Sequence, residues 1–270
     1  TKEKGSHIQL AEQYLEMQKK LLKIEQIKPL SGLGENEKEK ILKELVSLNK
    51  VKKIEGEQPL YLSYTTYKNW IDAIINIISE YHSSYPLREG FPKEELRSRL
   101  FPHVTNKQFQ QLLQAIELDN YIKVINQDIA LPDIEPRPHQ KENKIINKIE
   151  ECYYKMLYNP SSWADVSSKL GLDVNNANEI LQYLLRKNIL FKVSDNLYFH
   201  REAIKKAKII IGQYLEKNNQ ISVGETRDLL NTSRKFALPL LEYFDAKRIT
   251  RRVGDLRVAG RLLRKPDEEV

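Results

Sequence analysis

The sequence has few of certain residue types and patterns, and each shortage excludes a class of protein. One cysteine, Cys152, among 270 residues excludes a disulfide scaffold and any thiolate zinc finger, and it fits a reducing cytoplasm. The ten glycines and eleven prolines are scattered, which excludes collagen-like or low-complexity character. No apolar run approaches the roughly 18 residues that span a bilayer, so we expect no membrane partner. The start Thr1-Lys2-Glu3-Lys4 is no signal peptide, and it predicts a fragment or a processed product.

Residue patterns that carry catalysis are also missing. There is no G-x-x-x-x-G-K-[ST] phosphate loop, and Gly32-Leu33-Gly34 is an isolated turn, so we expect no GTP chemistry in this chain. The five histidines are spread along the chain without i, i+4 pairing, which predicts neither a metal nor another cofactor. Cys152 stands in an apolar helical stretch, which predicts a core position rather than a nucleophile. The sequence therefore predicts a binding protein and not an enzyme.

The positive charge is concentrated toward the carboxyl end of the sequence. The formal net charge is +7. Residues 1–200 hold 28 Lys and Arg against 27 Asp and Glu, whereas residues 201–270 hold 16 against 10. Clustered cations attract anions, because neutralising phosphates releases their counterions. We therefore expect a nucleic acid as partner of the last quarter, and the alternative is a solvated basic face that only aids solubility.

One pattern recurs four times: a helix with a 3.6-residue apolar period, followed by two short β-rich stretches joined by a turn. Leu45, Ile116, Leu185 and Phe244, one from each helix, lie 71, 69 and 59 residues apart. Further helical stretches precede this pattern in the last three repeats. Helices followed by a β-hairpin are the winged-helix arrangement. We therefore predict a mainly α fold with short β-hairpins (α+β), an elongated chain of four tandem winged helices in two pairs.

We call the four predicted winged helices segments 1 to 4. Their predicted boundaries are 1–64 (segment 1, divergent), 65–132 (segment 2), 139–200 (segment 3) and 201–260 (segment 4), with a tail at 261–270. Residues 132–138 contain three prolines, which favour an extended, semi-rigid spacer, so we predict a linker at 133–138. In segment 1, residues 8–24 are predicted to form one long helix.

Two blocks of the sequence resemble a known family. Residues 85–100, YPLREGFPKEELRSRL, and the stretch from Ser233 to Asp255 are similar to the carboxyl-terminal half of the bacterial selenocysteine-specific translation elongation factors, the SelB family. The resemblance extends over roughly residues 35–259. One departure is Leu256, where the family pattern implies a second cation after Gly254-Asp255.

The resemblance implies a function as well as a fold. It implies four tandem winged helices, the last of which grips the hairpin element in selenoprotein mRNA that recodes a UGA stop codon. It also implies that a GTPase half, which carries selenocysteyl-tRNA to the ribosome, precedes these segments in the whole protein. For this chain it implies an RNA-binding and tethering role in selenocysteine incorporation, and we expect a cytoplasmic monomer.

The third helix of segment 4 points to RNA independently of the family. Thr232 or Ser233 is a suitable N-cap, which places Arg234 and Lys235 in the first helical turn. Cations there oppose the helix dipole. Either they are merely exposed, or they converge on one phosphate together with the free backbone N–H groups that follow Ser233. We take Ser233, Arg234 and Lys235 as candidate RNA contacts.

The β-hairpin of segment 4 provides two further candidates. Gly254 suits the first central position of a two-residue type II′ turn, which pairs Arg252 with Arg257. Two arginines directly opposite each other on one face repel unless an anion lies between them. We therefore predict that Arg252 and Arg257 hold a phosphate together.

Three other residues of segment 4 are weaker candidates. Alternation places Arg251 on the opposite face of the hairpin, where it can serve as a structural partner of Asp245 or Asp255. Phe236 follows the basic pair, and it either stacks on a base or, as its helical spacing favours, packs in the core. Arg227, on the second helix, is a candidate phosphate contact.

Two other functions stay open from the residues alone. A winged-helix DNA-binding protein would place a recognition helix in the major groove and prefer duplex. A protein-interaction scaffold is favoured by the near-neutral charge of segments 1 to 3. RNA recognition would instead depend on loop shape and unstacked bases, because the deep major groove of A-form RNA is closed to side chains.

Overall fold

The computed structural model describes residues 2–263, with side chains from residue 7 onward. Most of the predicted tail, residues 264–270, lies outside the described residues. The chain divides into two compact units, Thr1–Arg137 and Pro138–Val270. Helices predominate in both units and the strands form small antiparallel sheets, so the predicted mainly α class with short hairpins is confirmed.

Segment 1 packs its helices against a two-stranded hairpin. Its periodic helix buries Ile41, Leu42 and Leu45, and the hairpin begins with Val51 opposite Ser63. Its elements are α1 (Lys2–Gln18), two 3₁₀ turns (Ile24–Gln26 and Lys28–Leu30), α2 (Glu35–Ser47), β1 (Val51–Ile54) and β2 (Leu60–Ser63).

The single long helix predicted over residues 8–24 is wrong in its last third. α1 ends at Gln18, and Lys19 adopts a left-handed φ of 49°. Leu22 then forms an antiparallel bridge with Tyr61, with backbone bonds of 2.9 and 2.7 Å in the two directions. The chain leaves the helix because Leu22 is buried against the hairpin, where the bridge satisfies backbone groups on the free edge of β2.

Segment 2 contains a third strand that the sequence analysis does not predict. The strand order is β3-β5-β4, with Phe91 opposite Ile129. Gly90 permits this pairing, because a Cβ at that position would lie 2.6 Å from the carbonyl oxygen of Ile129. The elements of segment 2 are α3 (Tyr64–Ser84), β3 (Phe91–Pro92), α4 (Lys93–Leu100), α5 (Asn106–Leu118), β4 (Lys123–Ile125) and β5 (Asp128–Ala130).

Segment 3 has three helices and a two-stranded hairpin. The apolar stripe of its first helix consists of Ile146, Ile149 and Tyr153, which are buried. Cys152 lies beside this stripe and is exposed, so the predicted core position of Cys152 is wrong. The elements are α6 (Gln140–Met156), α7 (Trp163–Lys169), α8 (Val174–Arg186), β6 (Leu190–Ser194) and β7 (Leu197–His200).

Segment 4 has a three-stranded sheet in which the last strand is central. The order is β8-β10-β9, so β10 pairs with a neighbour on both sides. The two-residue strand β8 is absent from the sequence-based prediction. The elements are α9 (Arg201–Asn218), β8 (Ile221–Ser222), α10 (Val223–Leu229), α11 (Arg234–Ala246), β9 (Thr250–Val253) and β10 (Leu256–Ala259).

Segments 3 and 4 follow each other without a linker, and their buried apolar side chains share one core cluster. His200 ends β7 and is also the N-cap of α9. Tyr158 and Phe199 of segment 3 are buried in the apolar cluster of segment 4, and half-buried Phe191 packs against it. The position of segment 4 is therefore fixed by side chains of segment 3. Within residues 2–263, no helix is long and apolar enough to cross a membrane.

Candidate nucleic-acid interface

Segment 4 presents a cationic helix start. α11 begins at Arg234, so Arg234 and Lys235 lie in its first turn, as the sequence predicts, and both residues are exposed. Neither of them makes an ion pair with another residue in the range 2–263. The Lys235 ammonium lies 5.4 Å from the centroid of the Phe236 ring. Two positive charges are therefore available to an anion at this helix end.

The amino end of α11 lacks the side-chain cap of its counterparts in segments 2 and 3. Thr105 caps α5 and Asp173 caps α8, each with a side-chain oxygen that accepts backbone N–H groups of the first turn. Ser233 is the N-cap residue of α11, but its side chain accepts no such bond. No acidic residue lies in the first turn of α11 either. This helix start therefore carries partial and full positive charge without a local negative group.

The first hydrogen bonds of α11 show which donors stay open. The N–H groups of Phe236 and Ala237 both donate to the Ser233 carbonyl, at 3.0 and 2.9 Å. The N–H groups of Arg234 and Lys235 precede these bonds and have no helical acceptor. The first turn of α11 therefore carries open backbone donors and two cationic side chains, which are the kinds of group that bind a phosphate at a helix start.

The hairpin of segment 4 has the predicted register, but one of its arginines is not where we predicted. Arg252 lies opposite Arg257, and Gly254 has the positive φ, 62°, that the type II′ turn requires. Arg257 is 2% exposed, and its Nε donates to Asp245 Oδ2 at 3.2 Å. Asp245 also accepts from the Thr250 hydroxyl through Oδ1, at 2.6 Å. Arg257 is therefore a buried structural arginine and not an exposed phosphate ligand.

The two opposing arginines have different partners. Asp245 neutralises Arg257, while the Arg252 Nε turns away to donate to the Gly254 carbonyl at 2.9 Å. We predicted that Arg251 could be a structural partner of Asp245 or Asp255, and this is wrong because Arg257 pairs with Asp245 and Arg251 forms no ion pair with Asp255. Arg251 is exposed and makes no ion pair with any residue between 2 and 263. The exposed cations of the hairpin are therefore Arg251 and Arg252.

The two remaining candidates have partners within segment 4. Phe236 is half-buried and packs against the core cluster, as its helical spacing favours. Arg227 is exposed, but its Nε and one terminal nitrogen both lie 2.7 Å from Asp228 Oδ1. This guanidinium holds the pKa of Asp228 below its usual value. The charge of Arg227 is therefore partly neutralised by its neighbour.

The turn before α11 is held by segment 3, an interaction that the sequence analysis missed. The Thr232 hydroxyl donates to the Tyr158 carbonyl at 2.7 Å and lies 2.9 Å from Asn159 Oδ1. Asn159 Nδ2 donates to the Asn231 carbonyl at 3.2 Å. No local pattern signals these bonds, because the partners are more than 70 residues apart in sequence.

Several polar groups of block 85–100 have partners within segment 2. Arg88 lies over the Tyr85 ring at 4.1 Å and donates to the Tyr81 hydroxyl at 2.6 Å. Arg97 pairs with Glu94 at 3.1 Å on the surface of α4. Within residues 2–263, no group of three or more His, Cys, Asp or Glu side chains is placed to hold a metal.

These features define a class: a protein of winged-helix segments whose last recognition helix begins with unpaired cations. Two stretches, residues 75–131 and 213–259, match family models described as "Elongation factor SelB, winged helix". They fall in segments 2 and 4. The predicted resemblance is thus confirmed, with both matches falling on winged helices of the SelB elongation factor family.

The relatives of the chain carry the same family name. A selenocysteine-specific elongation factor of Desulfomicrobium baculatum is 25% identical over 185 residues, and that of Escherichia coli K12 is 22% identical over 188. These alignments cover 68% and 69% of this chain but 29% and 30% of the relatives. The matched region of this chain thus spans less than a third of their length.

Two solved structures are similar at low identity. The mRNA-binding domain of E. coli SelB, in complex with SECIS RNA, has a TM-score of 0.40 at 22% identity, over 45% of this chain and 99% of that domain. A bacterial selenocysteine-specific elongation factor EF-Sec has a TM-score of 0.49 at 20% identity, over 80% of this chain and 33% of that protein.

Proposed function

We propose that this chain is the mRNA-binding module of a selenocysteine-specific elongation factor, and that segment 4 holds the selenoprotein mRNA hairpin. The observation that carries this proposal is the start of α11, where Arg234 and Lys235 are exposed and unpaired beside open backbone N–H groups. The family of the matched winged helices and the names of the relatives support the choice of a selenoprotein mRNA hairpin as the RNA.

Segment 4 would bind the hairpin through two groups of cations. Arg234 and Lys235, with the Ser233 hydroxyl beside them, would hold one phosphate at the helix start. Arg251 and Arg252 would contact the RNA backbone from the hairpin. Arg257 would support them from beneath by tying β10 to α11.

Phe236 and Arg227 would have secondary roles. Phe236 keeps one ring face under the Lys235 ammonium, so its contribution would be to orient that cation more than to stack on a base. Arg227 would exchange Asp228 for a phosphate only at the edge of the RNA. Selection of the hairpin would come from the shape of the loop and its unstacked bases.

The mechanism would be tethering without catalysis. The module would hold the mRNA while a GTPase half, elsewhere in the whole protein, delivers selenocysteyl-tRNA to the ribosome at the UGA codon. Segments 1 to 3 and the proline-rich linker at 133–138 would then set the distance between the two. A factor of this kind would work as a monomer in the cytoplasm.

Binding of the full chain to a selenoprotein mRNA hairpin would test the proposal. Fluorescence anisotropy between about 50 and 200 mM salt would compare that hairpin with a scrambled-loop hairpin and with duplex DNA of equal charge. We expect tight binding to the true hairpin alone. Equal binding to all three would indicate a generic basic patch, and preference for the duplex would indicate a DNA-binding winged helix.

A pair of charge-matched variants sharpens the test. Replacing both Arg234 and Lys235 by Ala should weaken hairpin binding and reduce the slope of log K against log salt by about one for each phosphate that the variant no longer neutralises. Lys205→Ala with Lys217→Ala removes the same charge from exposed positions of α9 and should leave the slope unchanged. Equal effects of both variants would contradict a localised site, and unchanged affinity in both would favour a protein scaffold.

A further inference from the structure

We propose that the loop after α6, residues 157–161 of segment 3, is a positioning element of the RNA site in segment 4. The inference rests on the proposed function, and it gives segment 3 a part in RNA binding without any contact to RNA. Asn159 and the Tyr158 carbonyl would act through the turn that precedes Arg234 and Lys235.

The loop and the turn are joined by side-chain and backbone groups of both segments. Thr232 donates its hydroxyl to the Tyr158 carbonyl at 2.7 Å and approaches Asn159 Oδ1 to 2.9 Å. Asn159 donates its Nδ2 to the Asn231 carbonyl at 3.2 Å. One amide side chain therefore contacts two successive residues of the turn, and both ends of that amide are used.

The position of the loop is determined by burial. The Tyr158 side chain is 6% exposed and belongs to the apolar cluster that also contains Leu240 and Phe244 of α11. Leu157, just before it, is held at φ 46° and ψ −100°, a region that an aliphatic side chain rarely adopts. Such a conformation persists only where the surroundings impose it, and here the buried Tyr158 fixes the loop against segment 4.

The start of α11 depends on this external support. In α5 and α8 the first turn is fixed by a cap from Thr105 or Asp173. Ser233 gives α11 no such cap. The side-chain hydrogen bonds nearest to Arg234 along the chain are those of Thr232, whose partners lie in segment 3. This arrangement leaves the N–H groups open for a phosphate while the loop keeps the helix start in place.

The test uses the full chain and the selenoprotein mRNA hairpin. Asn159→Ala removes both amide interactions, and Thr232→Val removes the hydroxyl at nearly constant volume. We expect each change to weaken hairpin binding about five- to tenfold at constant salt. Thr232→Ser keeps the hydroxyl and should bind as the wild type does. Asn143→Ala is the matched control, because it removes an amide bond of the same kind, to the Pro138 carbonyl at 2.9 Å, elsewhere in segment 3.

A double-mutant cycle separates positioning from a purely structural role. If Asn159 acts through the cations, Asn159→Ala should have no further effect on affinity once Arg234 and Lys235 are both Ala. A structural role would lower the melting temperature and leave the two reductions in affinity additive. Additive reductions, or wild-type affinity of both Asn159→Ala and Thr232→Val, would overturn the inference.

The outcome for the wild-type chain distinguishes this inference from the proposed function. If the wild type fails to prefer the true hairpin, the proposed function falls and the positioning role falls with it. If the wild type prefers the hairpin and loses affinity when Arg234 and Lys235 are replaced, but not when Asn159 is replaced, only the positioning role is wrong.

Discussion

At the scale of single residues, Arg252 and Arg257 show how two identical side chains on paired positions acquire different roles. They lie opposite each other on adjacent strands, yet Arg257 is buried on Asp245 while Arg252 is exposed beside the turn. A buried guanidinium is tolerated only with a counter-charge, because removing it from water costs several kcal/mol. Asp245 therefore has to accompany Arg257, whereas Arg252 remains free to contact another molecule.

We predict that variants of these two arginines have opposite phenotypes. Arg257→Met should lower the free energy of unfolding by about 1 kcal/mol, and Asp245→Ala should lower it by about 3 kcal/mol because the buried guanidinium then has no partner. Arg252→Ala should change stability by less than about 0.5 kcal/mol and should weaken hairpin binding. Urea unfolding and anisotropy measure the two properties. Weaker binding with unchanged stability in Arg257→Met would contradict this assignment.

At the scale of elements, periodicity predicted the helices and hairpins but not the shortest strands. The helices that contain Leu45, Ile116, Leu185 and Phe244 bury those apolar positions or their neighbours, as a 3.6-residue repeat requires. The strand β8 has two residues, too few to show alternation. By contrast, the register of the segment 4 hairpin and the start of α11 could be predicted from the sequence.

The wrong predictions for Arg251 and Arg257 also arise because β8 was not predicted. Alternation shows which residues share a face of a hairpin, but not which face is covered. The pairing of β8 with β10 makes β10 central, and Arg257 reaches Asp245 on α11. Without β8 in the prediction, Arg257 was expected at the surface. The bond from Thr232 to Tyr158 was equally inaccessible, since it depends on how two segments pack.

The third strand of segment 2 yields a prediction about glycine. Gly90→Ala should lower the free energy of unfolding by about 1–3 kcal/mol, because the new Cβ would lie 2.6 Å from the Ile129 carbonyl oxygen and displace β3 from β5. Gly224→Ala is the control within a helix: its Cβ would meet only the Ser222 hydroxyl, at 3.8 Å. This second change should stabilise by about 0.5–1 kcal/mol through helix propensity. Denaturant unfolding of the full chain checks both, and equal effects would contradict the steric argument.

At the scale of the whole molecule, the segments differ in net charge and in how their recognition helices begin. Segments 1 to 3 are nearly neutral, and α5 and α8 begin with side-chain caps, whereas α11 begins with two cations. On the proposed function, segment 4 would therefore be the segment that binds the anion. The joint between segments 3 and 4 is central to this division, because it determines how the binding segment is held.

His200 is a buried titratable residue of that joint, and we expect its protonation to affect the joint. It is 3% exposed, and its Nδ1 accepts the Glu202 N–H at 3.1 Å, so the N-cap of α9 requires a neutral imidazole. Burial lowers the pKa of His200 below its usual value of 6.5, although Glu150, whose Oε1 lies 3.5 Å from Nε2, opposes this shift. Arg201 and the Tyr154 ring also face the imidazole.

The sign of the pH effect follows from that lowered pKa. The unfolded chain binds a proton at His200 more readily than the folded chain does, so the contribution of His200 to stability is present above about pH 6.5 and declines as the pH falls toward the folded pKa. We predict that the free energy of unfolding of the full chain falls between about pH 7 and pH 5. The part of this fall that is due to His200, up to about 1.4 kcal/mol per pH unit, should be absent in His200→Asn. Asn keeps an N-cap acceptor that does not titrate. Urea unfolding of both proteins across this pH range measures the His200 contribution as the difference between their free energies of unfolding. Parallel pH profiles would show that protonation of His200 does not affect the stability of the joint.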